Sequence, residues 1–490
     1  MAEETLIRTL SDPTIELDEL SGMDVETGSA SQIGSPTSSV KYSKQFGGAF
    51  PVVQINKTLF NADQITGLEL RSTGYIPTIT VTFDINDKSF YSSSFPKDGD
   101  VMSIMIRSKN DLFKPIHNDY EITNIKVFPR PGGGELTNES MVVNGILKIP
   151  GYLRLQSFSK KGTSMNCVHN VAADLKLGFA SNEVDTSDEQ TWLCSYERTN
   201  DFIFDVVNAA WKDENSFFTY FIDQNYILNF VNVNPLFTDS SDIEESMGRE
   251  LLFQDFGPDT SNAEFQGKVI LSNWDDMSST NFFIQSYSLQ NFAASINNTH
   301  GYRRESKFYD GFLKSSETFL CDPLTTVGAE ENKILMKGRA GENEYLAQIQ
   351  SKWLGIQYGE DGENCHGKFN VARITNFQNN VHLDKMSLVV NLENLNFNLR
   401  RMQPIPVIIV IKKDATRKYI NEPGDEEGAL AVDGQDEVTL KADDTPINLD
   451  KTISGNYVIK DIIYRYINGE FKQQLVLFRR EWPTPPQAHK

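Results

Sequence analysis

The stretch GENCHGKF, Gly362 to Phe369, is the part of this sequence most like a chemical motif. Its first seven positions fit the phosphate-cradling pattern G-x-x-x-x-G-K-[ST], whose last residue holds magnesium through a hydroxyl. Here the eighth position is Phe369, which has no oxygen to offer, and Glu363 would face the phosphates with like charge. The residues after Phe369 read as irregular or strand, without the helix N-terminus whose free N–H groups such a loop uses. Nucleotide binding is not expected. Cys365 and His366 adjoin as a metal or nucleophile pair would, but the other histidines (117, 169, 300, 382, 489) are scattered. No second Cys/His pair stands at ligand spacing, and no G-x-S-x-G elbow occurs. Carboxylates are abundant, yet a glycosidase pair is defined by separation in space, which abundance does not supply. No catalytic, cofactor-binding or metal residue is assigned, and the chain is expected not to be an enzyme.

The elements around these residues come from the hydrophobic pattern. At 490 residues the chain is long enough for several cores. No run of about 18 apolar residues is present to span a membrane. The N-terminal text lacks a basic region followed by an apolar one, so no secretory signal is read. Cys167, Cys194, Cys321 and Cys365 lie far apart and are expected to be reduced thiols of a protein made in the cytoplasm. A formal net charge of −21 argues against a phosphate-binding surface.

Residues 1–45 hold eight acidic residues and a Ser/Gly/Pro stretch, and read as a flexible arm. Residues 46–156 alternate as short strands (FPVVQI, TGLELRS, PTITVTFDI, DVMSIMIRS, YEITNIKVF, SMVVNGILKI), which predicts an antiparallel barrel or sandwich. Residues 157–238 change period. Ser164 is expected to cap a helix with Val168, Val171, Ala172 and Leu175 on its apolar face and Gly178 at its end. Asn200 or Thr199 is expected to cap a second, with Ile203, Val206, Val207 and Ala210 inward. The segment SFFTYFIDQNYILNFVNV then forms a hairpin around Asp223-Gln224-Asn225, apolar on both faces. Such a hairpin is explained if the helices cover one face and another domain the other. Trp192, Phe202 and Trp211 are expected to pack this α+β unit. Residues 239–375 form a connection of unassigned fold. From 376 to 490 the chain reads as β again, with an acidic insertion at 421–450 and an Asn468-Gly469 hairpin signal.

One internal echo stands out. Tyr120, Ile122 and Ile125 follow the strand DVMSIMIRSK; Tyr457, Ile459 and Ile462 follow PIPVIIVIKK and the acidic insertion. Two β domains of similar strand order are therefore expected.

The order of these segments resembles the baseplate hub proteins of contractile-tailed bacteriophages, the late-control-D-like family related to the base of type VI secretion spikes. One stretch carrying the resemblance runs from TSMNCVHNVAADLKLGF through TWLCSYERTNDFIFDVVNAAW to the hairpin. Its matching residues are Thr163, Ser164, Leu175, Leu177, Trp192, Asp201, Phe202, Val206, Ala209 and Phe218. The other runs from ENCHGKF to PIPVIIVIKK, matched at Asn364, His366, Ala372, Asn376, Asn379, Lys385, Leu388 and Pro406. Together they span roughly a third of the chain; the arm and the acidic insertion have no counterpart.

The resemblance implies a mainly β fold with α+β parts: two tube-like antiparallel β-barrels plus a small α+β middle domain. It implies a homotrimer whose six barrels form a ring, adapting a sixfold tail tube to a trimeric central spike and leaving a channel for DNA. The implied partners are the tail tube protein, the central spike protein, other baseplate proteins and, as a further candidate, the tape measure protein. No specific nucleic-acid binding and no membrane span are implied, and the location is the virion baseplate, assembled in the host cytoplasm. An acidic balance suits a channel past which DNA slides, so a net negative lumen is expected. Alternative readings are a tail-tip peptidoglycan hydrolase carrying a hub-like domain and a receptor-binding tail protein. The stretch 239–375 shows no catalytic signature for the first, and the chain shows no long repeats or heptads for the second.

Overall fold

The computed structural model describes residues 51–85 (except 57 and 61), 95–108 (except 98), 114–129, 139–237, 270–272, 284–300, 303–310, 315–321 and 346–351. It also describes 366–409 (except 393–394), 453 and 455–479 (except 468). The arm 1–45, the insertion 421–450, Asn364 and Cys365 lie outside the described residues. Strand alternation sets the first seven elements: β1 (Val52–Ile55), β2 (Thr58–Phe60), β3 (Ile65–Ser72), β4 (Thr78–Ile85), β5 (Val101–Ile106), β6 (Ile116–Pro129) and β7 (Glu139–Leu147). In β4, TITVTFDI, every second side chain is buried, as a half-covered sheet requires.

The α+β unit comes next in the chain: β8 (Leu155–Gly162), α1 (Ser164–Asp174), β9 (Gly178–Ser181), β10 (Gln190–Arg198), α2 (Thr199–Asn208), β11 (Phe218–Ile222) and β12 (Ile227–Asn232). After it lie β13 (Ile270–Ser272), β14 (Ile284–Asn291), α3 (Ala293–His300), β15 (Arg303–Asp310), β16 (Ser315–Cys321), β17 (Leu346–Ser351) and α4 (Phe369–Leu383). The chain returns to the sheet with β18 (Met386–Leu392), β19 (Pro404–Ile409), β20 (Gly455–Ile467) and β21 (Glu470–Phe478). The fold is mainly β with a small α+β part.

Thirteen strands form one sheet, ordered β14-β18-β21-β20-β3-β4-β7-β6-β5-β1-β2, with β13 and β19 branching from β20. Two halves of that order repeat. β3-β4-β7-β6-β5 and β14-β18-β21-β20-β19 have the same sequence order, the same neighbours and antiparallel pairing throughout. Register agrees as well. Tyr120 lies opposite Met102, and Tyr457 opposite Ile405. β6 bulges against β7 between Ile122 and Asn124; β20 bulges against β21 between Ile459 and Asp461. β3 bulges against β4 between Ile65 and Gly67, and β14 against β18 between Ile284 and Ser286. Bulges are placed features of a sheet, so two matched pairs mark a duplicated unit. The echo at Tyr120/Tyr457, Ile122/Ile459 and Ile125/Ile462 is this repeat. One difference stands at its margin: β1 joins β5 antiparallel, whereas β13 joins β19 parallel.

Several local expectations are corrected. Thr163, not Ser164, caps α1, its hydroxyl accepting from Asn166 N. Ser164 is the first helical residue; its hydroxyl is buried against that of Thr186 at 3.0 Å. Gly178 does not end α1. The left-handed position falls to Lys176 (φ 60), and Gly178 opens β9 by donating to Tyr226 O. Neither Asn200 nor Thr199 caps α2: Arg198 is its N-cap without a side-chain bond, and the Thr199 hydroxyl donates to Gly151 O at 3.1 Å. The largest correction concerns GENCHGKF. A fifteen-residue helix begins at Phe369, where irregular or strand structure was expected, and it runs past position 376 to Leu383. Its sequence, FNVARITNFQNNVHL, hides the helix because its buried face includes Asn376, Gln378, Asn379 and His382 along with apolar residues.

Candidate functional site

The hairpin β11–β12 is where the parts of the molecule meet. Asp223 builds its turn, its carboxylate accepting from Asn225 N at 2.8 Å and Ile227 N at 3.0 Å, with Tyr226 in the left-handed region (φ 59). One side faces the helices: the Tyr220 hydroxyl donates to Asn200 O at 3.0 Å in α2. Toward the first β unit, Tyr220 stacks on Tyr75 with centroids 4.5 Å apart, and Ile222 N donates to Tyr75 O at 2.9 Å. Toward the second, Phe217 and Val233 share a core with Leu383, Val458 and Phe478. The expectation of an apolar hairpin covered on both faces therefore holds, with both β units taking part.

Helix α4 locks the hairpin through amides. The Asn376 side chain donates to Val207 O at 3.3 Å, Asn208 O at 3.0 Å and Ala210 O at 2.8 Å, carbonyls at and just past the end of α2, of which Val207 O also receives Ala210 N. Its oxygen accepts from Phe218 N at 2.8 Å, and Asn380 donates to Phe218 O at 2.9 Å. A buried strand edge is thus satisfied by side chains instead of another strand. His366 joins the same place: its backbone N–H donates to Gln190 Oε1 and its Nε2 lies 3.0 Å from Ala209 O. Burial holds the His366 imidazole below its usual pKa, partly countered by Asp188. Asp188 is buried between α1 and α2, accepting from Ser164 N at 2.9 Å and Trp211 N at 2.8 Å.

Arg401 is the third tie. Its side chain is only 7% exposed and spans all three parts. Nε donates to Lys460 O at 2.6 Å, Nη1 donates to Gly74 O at 2.6 Å, and the guanidinium sits 4.4 Å from the Phe221 ring centroid. Asp461 Oδ1 is 3.6 Å from Nη2, an ion pair longer than a hydrogen bond. Burial pulls the Arg401 pKa down to about 10, against the pull of Asp461 and Asp223, so the cation persists at neutral pH. The fork geometry lets one side chain bind two carbonyls and a carboxylate at once. Nearby, Lys460 pairs with Asp384.

Of the residues named from sequence, Trp192, Phe202 and Trp211 are buried in the α+β unit. His366 and Asn376 meet Ala209 and Phe218 at the joint. Asn379 bonds within its own helix to Thr375 O, and the Lys385 carbonyl receives Phe292 N. Asp188 and Arg401 were missed: Asp188 sits in polar text, and Arg401 in LRRMQP, which reads as a solvated turn. The arrangement ties three parts of the chain together through buried hydrogen bonds and a shared core. Among the described residues no group of three His, Cys, Asp or Glu converges to hold a metal ion.

No protein-family model and no curated protein matches this chain. Solved structures do. The 43 kDa tail protein of prophage MuSo2 from Shewanella oneidensis aligns over 88% of this chain and 98% of its own, at 7% identity and a TM-score of 0.47. A tail protein from Neisseria meningitidis MC58 aligns over 88% and 96%, at 8% identity and 0.46. A Francisella PdpA–VgrG complex aligns over 92% of this chain and 63% of that one, at 10% identity and 0.40.

Proposed function

We propose that this chain is the structural hub of a contractile-tail baseplate in a virion. Three copies form a ring of six tube-like units that joins a sixfold tail tube to a trimeric central spike and leaves a channel for DNA. The observation that carries this reading is the register-matched duplication. A chain holding two equivalent β units lets a threefold assembly offer six similar surfaces on one side while staying threefold elsewhere. The amide and guanidinium ties around the hairpin support it, since an adapter must hold its units at a fixed angle.

The solvated face of the sheet is the candidate lumen. It carries Thr78, Thr80, Thr82 and Asn144 with Glu69 and Asp84 on one unit, and Asn391 and Gln474 with Arg465 and Lys472 on the other. Hydroxyls, amides and charges of both signs offer phosphates no continuous basic track. The net negative lumen expected from total charge belongs to this reading. The tube protein, the spike protein and other baseplate proteins, the tape measure protein among the candidates, are the partners. The role requires no catalytic group, and assembly takes place in the host cytoplasm.

The test is electron microscopy of the chain assembled with tube and spike proteins from the same genome. End-on views should show a six-lobed ring around a hole. Particles without a ring, or a purified chain that cleaves peptidoglycan, would contradict the reading.

A further inference from the structure

Where the chain leaves β7 and where α1 ends, a cleft of about 400 Å³ lies between the first β unit and the α+β unit. Asp119, Lys148 and Ile149 line it from the first; Lys176, Leu177 and Tyr226 line it from the second. Two of these residues hold strained backbone. Lys176 (φ 60) and Tyr226 (φ 59) are both left-handed, and the bond from Gly178 N to Tyr226 O at 2.9 Å keeps them side by side. Lys176 stands just past the end of α1, where its N–H donates to Ala173 O and that of Leu177 to Ala172 O. Glycine is the usual occupant of that position in this cap. A lysine there bears a strain that glycine would avoid.

The charge of the cleft runs against that of the chain. Acidic residues outnumber basic ones 67 to 46, and Lys160, Lys212 and Lys460 each sit on a carboxylate. Among the described residues neither Lys148 nor Lys176 has an ion-pair partner. The Asp119 carboxylate accepts from the Ser103 hydroxyl at 2.5 Å, and the Tyr226 hydroxyl stands 3.4 Å from Asp119 N and O. Ile149 and Leu177 are buried and give the cleft an apolar wall. Two ammonium groups beside an apolar wall fit a segment in which carboxylates alternate with apolar side chains.

We infer that this cleft binds residues 12–26 of the chain's own N-terminal arm, with carboxylates on Lys148 and Lys176 and apolar side chains against Ile149 and Leu177. The stretch DPTIELDELSGMDVE carries six carboxylates and no basic residue, with Ile15, Leu17 and Leu20 set among them. The arm ends close by. β1 begins at Val52, Gln54 lies opposite Ser103, and Ser103 lies opposite Asp119. Two strand spacings, about 10 Å, therefore separate Gln54 from the edge of the cleft. Residues 27–50, at roughly 3.3 Å each when extended, reach several times that far. They contain no acidic residue that would compete for the two lysines. Bound there, the arm bridges the first β unit and the α+β unit.

The contact lies within one chain and stands whether or not three copies assemble. The test is carbodiimide treatment of the full chain, which condenses a lysine amine with a carboxylate it touches into an amide, followed by peptide mass spectrometry. Mixing isotope-labelled with unlabelled chain separates links within a chain from links between copies. Links from Lys148 or Lys176 to Glu16, Asp18 or Glu19 of the same chain are expected. The pairs Lys160–Asp174 and Lys212–Glu183, at 2.7 and 2.6 Å, report that the reagent has worked. No arm link while those pairs join, or arm links between copies alone, overturns the inference. Hydrogen exchange gives a second reading. Residues 15–20 should be protected in the parent chain and lose that protection in Lys148→Gln with Lys176→Asn. Asparagine tolerates the left-handed backbone and removes the charge. Equal exchange at residues 15–20 in parent and variant also overturns it.

Discussion

Replacing Arg401 by Met should loosen the joint between all three parts of the molecule. Methionine keeps an apolar stem under Phe221 but removes every donor. Lys460 O and Gly74 O each lose a 2.6 Å charged hydrogen bond, and Asp461 keeps its charge without its nearest cation. Charged hydrogen bonds contribute about 1.5–3 kcal/mol each. Removing one partner of a buried pair costs roughly 3–5 kcal/mol because the other is stranded. These overlap, so about 3–5 kcal/mol of local stability is the expected loss. Hydrogen–deuterium exchange is the assay, read at the Ile222 amide, which donates to Tyr75 O beside the staple. At about 1.36 kcal/mol per decade, opening there should become ~10²–10⁴-fold more frequent. Burial raises the pKa of Asp461, with Arg401 the largest force opposing it. Adding Asp461→Asn to Arg401→Met should therefore recover roughly 1–2 kcal/mol, within the range of couplings between contacting groups. A change of less than tenfold at Ile222 in the single variant would refute the staple and make Arg401 a surface charge.

Asn376→Ala should cost about 2–4 kcal/mol, since it removes the side-chain donor to the Asn208 and Ala210 carbonyls and the acceptor of Phe218 N. Asn376→Asp should be no better, because a carboxylate would face three carbonyl oxygens; urea unfolding followed by fluorescence measures both. For His366, burial lowers the folded pKa from 6.5, so the unfolded chain binds the proton first. Stability is full above about pH 6.5 and falls as pH drops from there toward the lowered folded value. His366→Gln should flatten that slope in melting temperature between pH 7 and 5, and an unchanged slope would remove the assignment. Trp211→Ala should cost roughly 3–5 kcal/mol, as truncation of a buried aromatic does; an unchanged melting temperature would contradict its burial role.

The strands were legible because their alternation is a local signal: TITVTFDI states its own two faces. The hairpin was legible because Asp223 and Asn225 announce its turn. The duplication showed through three residue pairs, yet the matching bulges could not be read, since a bulge depends on what the neighbouring strand does. Helix α4 was lost because residues that bury amides look polar; Asn376 and Asn380 satisfy carbonyls and N–H groups made available only by the fold. Arg401 is the same case in cationic form. Its partners Gly74, Phe221, Lys460 and Asp461 come from three distant stretches, and no spacing in LRRMQP anticipates them. The α1 cap was misplaced by one residue because Thr163 and Ser164 are both eligible, whereas α2 has Arg198 at its N-cap and no side-chain cap for the sequence to announce.

The central claim is that two units per chain build a six-unit ring, and the mass of the assembled species tests it most directly. Light scattering coupled to gel filtration, with and without the spike protein of the same genome, should give a hub component near 3 × 55.4 = 166.2 kDa. A chain that stays near 55.4 kDa in both conditions would contradict the account.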